Sequence, residues 1–183
     1  MNKIGIAGVG GIGSNVAWHL VRSGITELKI VDLDKVEESN LNRQFYFKSQ
    51  IGLYKVDALE ENLKRINPDI YIEKEILFLT QKNIVECFKD CDIIVEGFDK
   101  AEAKTMLLEE LLSSGKKIYS ANGVAGLDLS SIESRFFAKN AFVAGDFKTD
   151  FHGKRLFSPK VTIVASVIAN QILIDIGFKD SLD

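Results

Sequence analysis

Two cations, one acid and a run of glycines carry most of the chemistry this sequence could perform. Gly8-Val9-Gly10-Gly11-Ile12-Gly13 has the G-x-G-x-x-G spacing. Gly8 allows a sharp turn, Gly10 lets the backbone approach a phosphate, and the helix opening near Gly13 and Ser14 offers free N–H groups and a positive dipole end. Ser14 reads as a first-turn helix residue, a phosphate donor, or both. Asp32 stands about 20 residues beyond the last glycine, where a carboxylate accepts a hydrogen bond from a ribose hydroxyl. An adenine nucleotide is the expected ligand. Taken alone the fingerprint favours NAD as much as ATP, and its plain structural reading is close packing of a strand on a helix.

The polar stretch from Asp34 to Gln44 narrows the chemistry. Arg43 can grip phosphate oxygens with a forked guanidinium, and Lys55 supplies a compact charge. Both suit a reaction in which an anion must approach another anion. Asn40 and Gln44 could orient phosphates with neutral hydrogen bonds. Asp99 lies just past the apolar run Ile93-Ile94-Val95. It could hold a Mg²⁺ that bridges phosphates, or cap the helix expected near Ala101. Asp34 is a second acid near the nucleotide or a turn-capping residue. An isolated Arg or Lys is usually a solvated surface charge.

The elements that must position these residues follow from periodicity. Ile4 to Ala7 is a short apolar strand, and Val16, Leu20 and Val21 recur at helical spacing up to Gly24. Leu28 to Val31 makes a second strand. Val56, Leu59, Leu63 and Ile66 mark a helix that stops before Asn67-Pro68, and Ile70 to Ile72 a third strand. A short helix over 83–88, the buried strand 93–95, a helix over 101–114 and a strand over 117–120 continue the alternation. Segments 132–137 and 141–143 suggest a hairpin. The polar stretch 146–160 is expected to be mobile, and a last helix should run from near Pro159 to Gly177. This predicts an α/β, Rossmann-like, doubly wound and mostly parallel sheet with helices on both faces and a C-terminal antiparallel hairpin.

Composition sets limits. At 183 residues with 46% apolar side chains, one domain over 1–183 is expected. A formal net charge of -3 argues against a general nucleic-acid binder. Cys87 and Cys91 are the only cysteines; their spacing suits neither a zinc pair nor a disulfide framework, and a reduced, cytoplasmic setting is expected. The chain enters its first strand without a secretory signal pattern. Polar residues interrupt the apolar stretch 161–176, so a buried helix is expected there and no membrane span. His19 and His152 have no partner spacing that suggests a triad or metal site.

In order, Gly8-x-Gly10-Gly11-x-Gly13-Ser14, Asp32-Leu33-Asp34, Ser39-Asn40-Leu41-Asn42-Arg43-Gln44, Gly52-x-x-Lys55, Ile66-Asn67-Pro68 and Asp99 resemble the ThiF/MoeB adenylyltransferase family. The chain is most similar to short ThiF proteins without zinc-binding cysteine pairs, so no zinc is expected. The resemblance implies a homodimeric enzyme in which the terminal glycine carboxylate of a ThiS-like, ubiquitin-fold sulfur carrier attacks the α-phosphate of Mg-ATP. The products would be an acyl-adenylate and pyrophosphate, and the pathway formation of the thiazole of thiamine. It also implies that Gly8, Gly10, Gly11, Gly13, Ser14, Asp32, Asp34, Ser39, Asn40, Arg43, Gln44 and Lys55 bind the nucleotide, that Arg43, Lys55 and Asp99 are catalytic, and that Asp99 holds the metal. Lys100 stands where many members have Asn.

Two departures matter. No cysteine follows Cys91, so a later thioester or persulfide step lacks its nucleophile and catalysis should end at the adenylate. Many relatives carry a helix before the first strand, with an arginine that reaches the partner subunit's site; here either that arginine is dispensable, another basic residue such as Arg135, Lys154 or Arg155 takes its place, or catalysis is slow. The stretch Phe151 to Phe157 could clamp a carrier's tail or be a plain exposed loop. The rival readings are an NAD-dependent oxidoreductase and a ThiF-like nucleotide-binding module without turnover.

Overall fold

The computed structural model describes residues 3–149 and 153–179. β1 (Ile4–Ala7) is wholly buried and leads through the glycine turn into α1 (Gly11–Arg22). The left-handed backbone of Gly8, φ 87°, makes that turn. β2 (Glu27–Val31), α2 (Lys55–Lys64), β3 (Tyr71–Glu75), the single turn α3 (Ile84–Cys87), β4 (Ile93–Glu96), α4 (Ala101–Leu111) and β5 (Lys117–Ala121) follow. β6 (Glu133–Ala138) and β7 (Ala141–Gly145) form the hairpin, and α5 (Ser158–Asp175) closes the fold with Pro159 in its first turn.

The seven strands lie in the order β3-β2-β1-β4-β5-β7-β6, with every pair parallel except β6 on β7. The hairpin therefore joins by its second strand, and β6 is left as an edge. Side chains alternate between two cores. Ile4, Ile6 and Val95 share one with Val16 and Leu20 of α1, Leu59 of α2 and Ile168 of α5. Ile94 and Ile118 share the other with Ile84 and Leu107. The expected doubly wound sheet with its terminal hairpin is borne out. Among the described residues no helix is long and apolar enough to cross a membrane; α5 instead buries Val161, Val164, Ala165, Ile168 and Ile172 against α1 and the sheet.

The stretch 146–160 departs from its expected mobility at both ends. Asp146 and Lys160 are 2% and 1% exposed and form an ion pair. Asp146 also accepts hydrogen bonds from the N–H groups of Lys148 and Thr149 and from the Thr149 hydroxyl, and Lys160 donates to the Ala125 carbonyl at 2.8 Å. A polar sequence was read as a solvated one, but here the charges are neutralised inside. Gly126 N–H donates to the Arg155 carbonyl at 2.8 Å, and Ala125 bridges Leu156. Phe151 and His152, the first two residues of the suggested clamp, lie outside the described residues.

Candidate functional site

The glycine turn sits at the C-terminal edge of β1, between β2 and β4, where an open α/β sheet places its ligands. Parallel pairing continues into it: Gly8 N–H donates to the Val31 carbonyl and Gly97 N–H to the Ala7 carbonyl, both at 2.8 Å. A Cβ on Gly13 would lie 2.0 Å from the Gly8 carbonyl oxygen, and one on Gly97 2.3 Å from the same atom. Side chains are sterically forbidden at both positions, so Gly13 and Gly97 set how closely α1 and β4 approach the turn. Gly10 and Gly11 are less tightly enclosed; Gln44 Nε2 is 3.7 Å from the Cβ position of Gly10, and Arg43 Cγ 3.9 Å from that of Gly11.

Asp32 holds the turn from the β2 side. Its carboxylate accepts from Val9 N–H and from Asp34 N–H, each at 2.8 Å. Burial pushes its pKa up, opposed by the charge of Lys55 and by these two N–H donors. Lys55, the first residue of α2, is buried and donates to the exposed Asp34 carboxylate at 2.8 Å. Asp34 is thus a partner of Lys55, and its backbone carbonyl also accepts from Lys55 N–H.

Arg43 lies on the opposite flank, partly buried. Its guanidinium donates to the Ser39 carbonyl at 2.9 Å and to Asn42 Oδ1 at 2.8 Å. Burial lowers its pKa, and the nearby charge of Asp99 works the other way. Asp99 is exposed in the turn after β4; the N-cap of α4 is Lys100, without a side-chain cap bond, so Asp99 does not cap that helix. Both cations therefore stand by the glycine turn, Lys55 paired with Asp34 and acting on Asp32, and Arg43 beside Gly11 within the field of Asp99.

Several expected ligand groups serve the framework. The Ser14 hydroxyl donates to the Gly10 carbonyl at 2.6 Å and accepts from Phe45 N–H at 3.1 Å, so it ties the turn to the 43–45 segment. Asn40 is buried, and its Oδ1 accepts from Glu37 N–H at 3.0 Å. Ser39 is exposed and its hydroxyl donates to Glu37. Gln44 is buried over Gly10, and its carboxamide oxygen has no partner among the described residues.

Three framework residues escaped the sequence reading. Asn15 donates to the Gly11 carbonyl at 2.6 Å and to the Arg43 carbonyl at 2.9 Å, fixing the backbone that carries the guanidinium. The buried Tyr46 hydroxyl donates to the Val9 carbonyl at 2.6 Å; burial holds its pKa well above the ordinary value. Glu96, fully buried at the end of β4, accepts from Phe98 N–H at 2.7 Å and from Lys104 at 2.8 and 3.0 Å, bracing the turn that bears Asp99. An acid closing the apolar run Ile93-Ile94-Val95 was the one visible signal among these. Cys87 and Cys91 are buried with thiols pushed up to about 11, chiefly by burial, which removes them as nucleophiles at neutral pH.

Comparison with known proteins gives the family and the fold. The model of the ThiF family matches residues 1–174. The adenylyltransferase and sulfurtransferase UBA4 of Eremothecium gossypii is 35% identical over 123 residues, 67% of this chain and 28% of the relative. Ubiquitin-like modifier-activating enzyme 5 of Caenorhabditis elegans is 34% identical over 133 residues, 67% of this chain and 32% of the relative. The chain spans about a third or less of the length of these curated relatives. The solved structure of E. coli tRNA N6-threonylcarbamoyladenosine dehydratase, TcdA, in complex with AMP superposes with a TM-score of 0.86 at 19% identity, covering 95% of this chain and 85% of that one. E. coli MccB with ATP gives 0.76 at 21% identity, with 96% and 56% covered. At those identities the two structures speak to the fold alone; the family model, matched over nearly the whole sequence, carries the assignment that this chain belongs to the ThiF family.

Proposed function

We propose that this chain uses Mg-ATP to adenylate the C-terminal glycine carboxylate of a small ubiquitin-fold sulfur-carrier protein, releasing pyrophosphate. The carrier is of the ThiS type, the pathway is formation of the thiazole of thiamine, and the enzyme works as a homodimer in the cytoplasm. The observation that carries this reading is the glycine turn flanked by Lys55 and Arg43 at one edge of the sheet. Relatives described as an adenylyltransferase and sulfurtransferase and as a ubiquitin-like modifier-activating enzyme support it, as do TcdA solved with AMP and with ATP and MccB solved with ATP.

The reaction asks a carboxylate to attack a polyanion, so the residues must neutralise charge and fix direction. The free N–H groups of the turn and the start of α1 cradle phosphate oxygens. Asp32 accepts a ribose hydroxyl with lone pairs that Val9 and Asp34 leave free. Arg43 holds the α-phosphate in a fork, Gln44 donates beside Gly10, and Lys55 exchanges Asp34 for a phosphate oxygen. Ser14 and Asn15 keep the Arg43 segment against α1. Among the described residues no cluster of three or more His, Cys, Asp or Glu could cage a metal. Mg²⁺ is commonly held by one or two carboxylates and by substrate phosphates. Asp99, exposed and close to Arg43, is the carboxylate assigned to it. When bound, the ion offsets phosphate charge during the displacement.

The test is isotope exchange. Purified protein with Mg²⁺, ATP and carrier should move labelled pyrophosphate into ATP, using a panel that includes ThiS-like proteins and other ubiquitin-fold modifiers. No exchange with any verified carrier rejects the reading. Tight ATP binding without exchange leaves a nucleotide-binding module, and a calorimetric preference for NAD over ATP leaves an oxidoreductase.

A further inference from the structure

An open cleft of about 600 Å³ lies between the 38–43 turn and the strap that enters α5. Arg43, Lys154 and Arg155 line it together with one acid, Glu38. Among the described residues Lys154 and Arg155 have no carboxylate partner, whereas Lys55 is paired with Asp34 and Lys160 with Asp146. Three cations against one acid leave the cleft net positive, and an anion between them relieves the remaining repulsion.

We propose that this cleft is a pyrophosphate subsite, in which Lys154 and Arg155 of the same chain hold the leaving group of the adenylation step. The assignment rests on the proposed adenylation. Continuity with the nucleotide site comes from Arg43, which lines the cleft while its stem lies 3.9 Å from the Cβ position of Gly11. Val161 of α5 sits 3.2 Å from that same position, so the strap and the glycine turn meet. A triphosphate with its α-phosphate at the turn thus has a cationic channel for its remaining phosphates.

The strap is pre-ordered. Asn42 donates to the Leu156 carbonyl at 3.0 Å from one side, and Gly126 donates to the Arg155 carbonyl from the other. The buried Lys160–Asp146 pair anchors the start of α5 behind it. The backbone at Arg155 and Leu156 is therefore held before any ligand arrives, which lowers the entropic cost of binding. Phe157, another wall of the cleft, is the N-cap of the 18-residue α5 and supplies no side-chain cap bond. The first-turn N–H groups of that helix add positive potential beside the cleft.

Charge builds where these groups lie. A carboxylate oxygen forms a bond to the α-phosphorus as the bond from that phosphorus to the oxygen bridging the β-phosphorus breaks. The electron pair stays on that oxygen, now part of pyrophosphate, and no proton, oxidant or reductant is needed. Cations aligned on the departing group stabilise this transition state.

Titration calorimetry of the full chain with inorganic pyrophosphate, and separately with AMP, tests the assignment. The Lys154→Ala/Arg155→Ala double variant should bind pyrophosphate about 10- to 100-fold more weakly, with AMP affinity within about twofold of the parent. Lys154→Arg with Arg155→Lys, which keeps both charges, should restore most of the pyrophosphate affinity. Unchanged pyrophosphate affinity in the alanine variant overturns the subsite. So does a parallel loss of AMP affinity, or a loss confined to carrier binding. If the parent protein binds neither ATP nor AMP, the adenylation reading itself fails; if it binds both and the alanine variant keeps the parent's pyrophosphate affinity, the subsite alone fails.

Discussion

Replacing Lys160 with methionine keeps most of the side-chain volume but removes the ammonium from a pair whose partners are 1% and 2% exposed. Asp146 would keep its bonds from Lys148 N–H, Thr149 N–H and the Thr149 hydroxyl, but would lose its counter-charge, and the Ala125 carbonyl would lose its donor. Breaking a buried ion pair from one side costs about 3–5 kcal/mol. That is a large share of the roughly 5–15 kcal/mol that stabilises a typical domain. For a chain of this size it lowers Tm by about 6–20 °C, at about 2–4 °C per kcal/mol. Urea unfolding followed by circular dichroism reads the loss directly, and adding Asp146→Asn should recover part of it by removing the stranded charge. Acid gives a second check. Burial alone would raise the Asp146 carboxyl, but the ammonium and the three other donors outweigh it and hold the group well below the usual carboxylate range. A depressed folded pKa stabilises above the unfolded value of about 3.9 and ceases to do so as pH falls through the folded value. Parent stability should therefore fall more steeply below about pH 5 than that of the double variant. A loss under about 1 kcal/mol in Lys160→Met, the range of a solvated pair, would refute the claim that this clip anchors the strap.

Other expectations concern the nucleotide edge. Gly13→Ala places a methyl 2.0 Å from the Gly8 carbonyl oxygen; it should cost about 1–3 kcal/mol in urea unfolding and weaken ATP binding by calorimetry. Arg43→Ala and Lys55→Ala should each slow pyrophosphate exchange by about 10²–10³-fold, the range for one transition-state donor, while the folded fraction stays near that of the parent. For Lys55→Ala the effect should fall on exchange more than on stability, because its partner Asp34 is exposed and remains solvated.

Local patterns reported the frame well. The spacing Gly8 to Gly13 located the turn between β1 and α1, the β-branched run 93–95 located a central strand, and the hairpin was visible as two apolar segments around Lys139-Asn140. Pairings across long sequence separations were invisible. Tyr46 reaches Val9 over 37 residues, and Asn15 reaches Arg43 over 28; neither has a local signature. Lys160 and Asp146 looked like solvated charges in a polar stretch because sequence shows polarity and not whether a counter-charge lies within reach. Ser14 was legible as a first-turn residue of α1, but the bonds of its hydroxyl to Gly10 and Phe45 were not, because the second spans 31 residues.

The most direct test of the account is a crystal structure of the chain with Mg²⁺ and a non-hydrolysable ATP analogue. It should place the α-phosphate within hydrogen-bond reach of both Arg43 and Lys55, with Lys55 released from Asp34, the metal on Asp99, and the outer phosphates in the cleft of Lys154 and Arg155. A nucleotide bound with Arg43 and Lys55 turned away from its phosphates would contradict the account at its centre.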